Sequence, residues 1–141
     1  MIDFTLKDVK VPGLDPELFV LWLNEVAKEE GYAIIGLNLV FCSDEELLKM
    51  NQEFLNHDYY TDIITFDYTD GYDISGDLFI SIERVIDNSL VLGSEYDSEL
   101  KRVCVHGLLH LCGYKDKSLE EEVIMRAKED HYIVKFVSRE T

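Results

Sequence analysis

The stretch 103–117 constrains this chain more than any other. Val103, Val105, Leu108, Leu109 and Leu111 leave almost no polar face on a helix, so the helix must be covered nearly all round. His106 and His110 stand at i and i+4 and leave the same face of it. Gly113 falls where a helix end takes a left-handed residue, and the chain then runs into the polar Tyr114, Lys115, Asp116 and Lys117. Two readings follow from the spacing. In one, the imidazole pair holds a transition metal, with Asp116 swinging back as a third ligand. In the other, one histidine is a hydrogen-bonded core residue and its neighbour a surface one. A buried imidazole pair is costly unless each ring has a partner. Gly107, beside the first histidine, removes bulk where another backbone or a substrate could come close.

The run His106-Gly107-Leu108-Leu109-His110-Leu111-Cys112-Gly113-Tyr114 resembles the H-G-x-L-H-L-x-G-Y-D-H signature of the YbeY family. These are bacterial metal-dependent endoribonucleases linked to ribosomal RNA maturation. Thr61-Asp62-Ile63-Ile64-Thr65-Phe66 is similar to the family's T-D-V-L-S-F, and Gly76-Asp77-Leu78-Phe79-Ile80-Ser81 to its G-D-I-x-I-S. The resemblance covers essentially the whole chain, with two departures. The family's third histidine falls on Asp116 and its preceding aspartate on Lys115. An arginine upstream of T-D-V-L-S-F falls on Leu55.

The resemblance implies a metal cleft, zincin-like, between helices and sheet. His106, His110 and Asp116 would be its ligands, and one Zn2+ ion its cofactor, with Mn2+ or another divalent ion as the alternative. It also implies a single-strand-specific endoribonuclease, with precursor ribosomal RNA as substrate and the ribosome or its associated proteins as partners. His57 would stand in for the missing cation at position 55, contacting phosphate when protonated.

Three ligands and an open position make the catalytic rather than the structural pattern for zinc. Zinc peptidases with H-E-x-x-H place a general base directly after the first histidine. Here that residue is Gly107, which takes no proton. A base must come from elsewhere, and Asp62 and His57 are the candidates. Two other functions stay open: a metallohydrolase of peptides, and a non-catalytic maturation factor with a structural metal.

A chain of 141 residues suits a single domain, 1–141, with room for a real core. It has no apolar run of bilayer length, and Met1-Ile2-Asp3-Phe4-Thr5-Leu6 is no signal peptide, so a cytoplasmic protein without a membrane segment is expected. Cys104 and Cys112 lie two turns apart on one helix, too far for a disulfide; with Cys42 they read as reduced, buried apolar residues. The net charge of −16 opposes non-specific binding to nucleic acid. Arg84, Lys101, Arg102, Lys115 and Lys117 read as ordinary solvated charge.

The pattern predicts α+β, a four-stranded mixed sheet packed by about five helices. Ile2, Phe4 and Leu6 alternate as a strand. Asp15-Pro16 opens a helix closed by Gly31, with Trp22 in its core stripe. Ala33 to Cys42 is a second strand, and residues 43–46 are a capping box. A polar, aromatic loop over 56–62 leads to a strand from Ile63 to Tyr68, a turn over 69–75 and a short strand from Asp77 to Ser81. Ser81 caps the next helix, which Gly93 ends. Ser94 and Asp97 start the histidine helix. Ser118 and Glu121 box a final helix carrying Val123, Met125 and Ile133.

Overall fold

The computed structural model describes residues 1–140, with side chains through Phe136. Its elements run β1 (Ile2–Leu6), α1 (Pro16–Glu29), β2 (Ala33–Cys42), α2 (Asp44–Leu55), β3 (Ile63–Asp67), β4 (Asp73–Ser81), α3 (Ile82–Leu92), α4 (Tyr96–Leu111) and α5 (Leu119–Glu140). The sheet has the order β1-β2-β4-β3, with β1, β2 and β4 parallel and β3 antiparallel to β4. The fold is therefore α+β with a mixed sheet, as the pattern predicts. No described helix is long and apolar enough to cross a membrane.

Local chemistry sets most of the element ends. Asp15 accepts from the Leu18 N–H ahead of Pro16, and Ser81 Oγ accepts from Arg84 N–H. Ser118 and Glu121 exchange side-chain-to-backbone bonds as a full capping box. Two expectations need correction. β4 begins at Asp73, not Asp77, because its first residues pair in parallel with Ala33 and Ile34 of β2, a partner that turn-like composition hides. The N-cap of α4 is Glu95 with no side-chain bond, since the Ser94 hydroxyl goes to Glu99 instead. Val123 faces solvent, and the buried stripe of α5 runs through Met125, Glu129, Tyr132, Ile133 and Phe136.

The main core lies between one face of the sheet and α1, α4 and α5. Leu37, Leu39, Leu78 and Ile80 point there from the strands, with Trp22, Leu108 and Phe136 from the helices. A smaller cluster of Cys42, Leu47 and Ile64 joins α2 to the other face. Cys42, Cys104 and Cys112 are all buried and unpaired, and burial pushes the Cys42 thiol up to about 11.

Two glycines seat α4 low on the sheet. A Cβ at Gly107 would stand 2.7 Å from Leu78 Cδ1 and 2.8 Å from Ile63 Cδ1. A Cβ at Gly76 on β4 would meet the Phe66 carbonyl at 2.6 Å and both Leu111 methyls at 3.1 Å. The close approach foreseen at Gly107 is thus to the sheet. It leaves His106 and His110 facing α5 and the loop after α4.

Candidate metal centre and its cleft

His106 Nε2 and His110 Nε2 stand 3.0 Å apart. Asp116 Oδ2 lies 3.2 Å from the first and 3.3 Å from the second. Gly113 makes this possible: at φ 97° it breaks the helix and returns the loop over the last turn of α4. The Gly113 N–H donates to the His110 carbonyl and the Tyr114 N–H to that of Leu109.

The other nitrogen of each ring is already engaged. His110 Nδ1 lies 2.9 Å from the Tyr114 carbonyl, which can only accept, so Nδ1 carries the proton. His106 Nδ1 lies 2.7 Å from Glu129 Oε2, and that carboxylate also accepts. These partners assign the tautomers and leave both Nε2 lone pairs aimed at Asp116 Oδ2. Three acceptors this close, with no donor among them, repel one another. A cation between them resolves this, and so does a proton on one imidazole. In the second case burial opposes the charged ring, but the Glu129 hydrogen bond and the Glu129, Asp116 and Asp62 charges outweigh it and raise the His106 pKa. The spacings are close to the roughly 3.3 Å edge of a tetrahedron with bonds of about 2.0–2.1 Å. The residues therefore fit a single divalent ion.

His106 and Asp116 open onto a cleft of about 360 Å³ walled by α3, α4, α5 and the end of the loop that leads into β3. Asp62 lines it together with His106. Burial raises the Asp62 carboxyl above the usual carboxylate range, against the lowering effect of His106 and a backbone hydrogen bond. Arg102 spans the cleft wall, donating to Glu129 Oε1 at 2.8 Å and to Asp130 at 2.7 Å.

The structure thus brings together His106, His110 and Asp116, with Asp62 in the same cleft. It does not bring His57 to them. His57 sits in the exposed loop after α2, stacked on Tyr59 and bonded to its hydroxyl, while Asn51 pins that loop through the Tyr59 carbonyl. Leu55 is exposed at the end of α2. The basic residues read as solvated charge divide. Lys115 and Lys117 are exposed, but Arg84 is paired with Asp44 and Asp87, Arg102 with Glu129 and Asp130, and Lys101 is buried against the Phe136 ring. Sequence reasoning missed Glu129. Its signal was an acid in register with Met125, Tyr132, Ile133 and Phe136, inside an otherwise apolar stripe.

Comparison with known proteins gives a consistent family. A family model described as Endoribonuclease YbeY matches residues 2–137. A Cytophaga hutchinsonii protein named endoribonuclease YbeY is 60% identical over 110 residues, covering 77% of each chain. The endoribonuclease YbeY of Porphyromonas gingivalis is 46% identical over 133 residues, covering 94% of this chain and 88% of its own. The solution structure of a Thermotoga maritima protein matches with a TM-score of 0.71 at 29% identity, covering 99% of this chain and 91% of that one.

Proposed function

The chain belongs to the YbeY endoribonuclease family, and on that footing we propose that its cleft cuts single-stranded RNA with a divalent ion held by His106, His110 and Asp116. One observation carries the reading: two Nε2 atoms and one carboxylate oxygen converge within 3.0–3.3 Å, while both Nδ1 atoms are occupied elsewhere. When bound, such an ion polarises a phosphoryl oxygen and brings the pKa of water to about 7.

The chain's own residues do the rest. Glu129 and the Tyr114 carbonyl hold the two rings in the ligating tautomer. Arg102 holds Glu129. Asp62, its carboxyl raised by burial, takes the proton from the attacking oxygen. His57, on the exposed loop preceding Asp62, meets phosphate on the substrate's flank and breaks no bond. Zinc is the native ion in this reading, precursor ribosomal RNA the substrate, the ribosome the setting and the cytoplasm the compartment. Residues 1–141 act as a single metallohydrolase domain.

The peptide-hydrolase alternative is the weaker one. It wants a glutamate after the first histidine, where Gly107 is pressed against Leu78 and Ile63. The structural-metal alternative wants a closed ligand shell, whereas the Asp116 side chain is 38% exposed at the cleft. The test is cleavage of single-stranded and duplex RNA by chelator-treated protein resupplied with zinc or manganese. Single-strand cleavage by the parent and none by His110→Ala is the expected result. Equal cleavage by both preparations would refute the proposal.

A further inference from the structure

A polyanionic substrate has to enter a cleft that is itself acidic. Among the described residues, Asp62, Glu99, Asp116, Glu122 and Glu129 line it against two guanidiniums, Arg102 and Arg126. The two arginines differ sharply. Arg102 is 20% exposed and spends its nitrogens on Glu129 at 2.8 Å, Asp130 at 2.7 Å and Glu99 at 3.9 Å. Arg126 is 56% exposed, and its ion pair is a loose 3.8 Å contact to the Glu129 oxygen that Arg102 already holds. It is the more exposed and the more loosely held of the two cleft cations.

Its placement on α5 adds to this. Arg126 stands three residues before Glu129, roughly 4.5 Å along the helix axis, and Glu129 touches His106 at 2.7 Å. The guanidinium therefore lies within one helical turn of the residue that backs the metal centre. A planar guanidinium fork matches two phosphate oxygens, and each phosphate so held releases counterions.

We propose that Arg126 is the phosphate-binding residue of the cleft, gripping a phosphate of the RNA strand next to the one being cut. This rests on the RNA-cleaving reading of the metal centre. The residue positions substrate. Arg102 cannot share the task without releasing Glu129, and the position at which the family carries an arginine is here Leu55. Bidentate geometry makes arginine better than lysine at position 126.

The experiment measures KM and kcat of the metal-loaded protein on a single-stranded RNA oligonucleotide across a salt series. It compares the parent with Arg126→Gln, Arg126→Lys and, as a charge-loss control away from the cleft, Lys10→Gln. Arg126→Gln is expected to raise KM roughly tenfold while kcat stays within about twofold and bound metal is unchanged. The slope of log(1/KM) against log salt should become shallower by about 0.7, one single-strand phosphate contact. Arg126→Lys should keep the slope and lose part of the affinity, and Lys10→Gln should leave both parameters near the parent's. If the parent cleaves RNA and Arg126→Gln leaves KM and slope unchanged, or Lys10→Gln changes them equally, the proposal falls. A parent that does not cleave RNA overturns the reading of the metal centre, and this proposal with it.

Discussion

His106 and His110 leave one helix a turn apart, but the regions that hold their Nδ1 atoms differ in kind. On the α5 side the partner is a side chain. Glu129 reaches His106 from 23 residues away, itself 6% exposed and braced by Arg102. On the loop side the partner is backbone. The Tyr114 carbonyl returns to His110 four residues on, because Gly113 turns the chain. That loop is fastened from outside by the Tyr114 hydroxyl, which donates to Glu30 at 2.6 Å. Glu30 also receives Lys128 at 3.1 Å and the Tyr132 hydroxyl. Burial alone would raise the Glu30 carboxyl, but these hydrogen bonds lower it. One ring therefore depends on a remote charge, and its neighbour on a local turn that no single side chain supplies.

Removing a ligand should have the largest effect, because it disables both sides at once. His110→Ala should lose stoichiometric metal, measured by elemental analysis, while circular dichroism stays native because the ring lies at the cleft. Asp116→Ala should weaken binding markedly, though less, since two imidazoles remain. Asp116→His should keep zinc and move the pH–rate profile to lower pH, because a neutral ligand leaves more of the ion's charge in place. Retention of parent affinity by Asp116→Ala would show that another group completes the site.

Glu129→Gln separates the two sides, because it keeps an acceptor and removes the charge. Zinc affinity at pH 8 should fall about tenfold. The pH dependence should move the other way. Glu129 raises the His106 pKa, so protons compete with metal above the ordinary histidine range, and affinity drops as pH falls through that raised value. Without the charge the His106 pKa comes down, and the acid limb of metal binding should shift to lower pH. A limb that stays in place would mean that Glu129 does not govern this ring.

The smallest effect on metal should come from Tyr114→Phe. It removes the hydroxyl that Glu30 accepts but leaves the carbonyl that holds His110. Stability should drop by about 1–2 kcal/mol in denaturant unfolding, with zinc affinity within about threefold of the parent. A loss as large as that from Glu129→Gln would break the distinction between the two sides.

That distinction also explains what could be read in advance. The two histidines, Gly113 and Asp116 lie in one continuous segment, and helical spacing places them together before any tertiary contact is known. The capping residues Asp15, Ser81 and Ser118 act on backbone within a turn of themselves, so they too were legible. Glu129 was not, because nothing local ties α5 to His106; its trace was a charge out of place in an apolar stripe. The start of β4 stayed hidden for the same reason. Residues 69–75 look like a turn, and the strand begins at Asp73 through the pairing of Asp73 and Ile74 with Ala33 and Ile34 of β2, some 40 residues away. The split among the basic residues is tertiary as well, since Arg102 and Lys101 become half-buried or buried when α5 packs on α4.

Ligation by the two Nε2 atoms is tested most directly by a zinc titration of chelator-stripped protein followed through the ring nitrogens by 15N–1H NMR. The chain has four histidines, so each ring can be assigned. Binding should saturate at one equivalent. Nε2 of His106 and of His110 should shift to metal-bound values, both Nδ1 atoms should stay protonated, and His57 and His131 should not move. Ligation through an Nδ1, or a shift at His57 in place of either cleft histidine, would contradict ligation by the two Nε2 atoms.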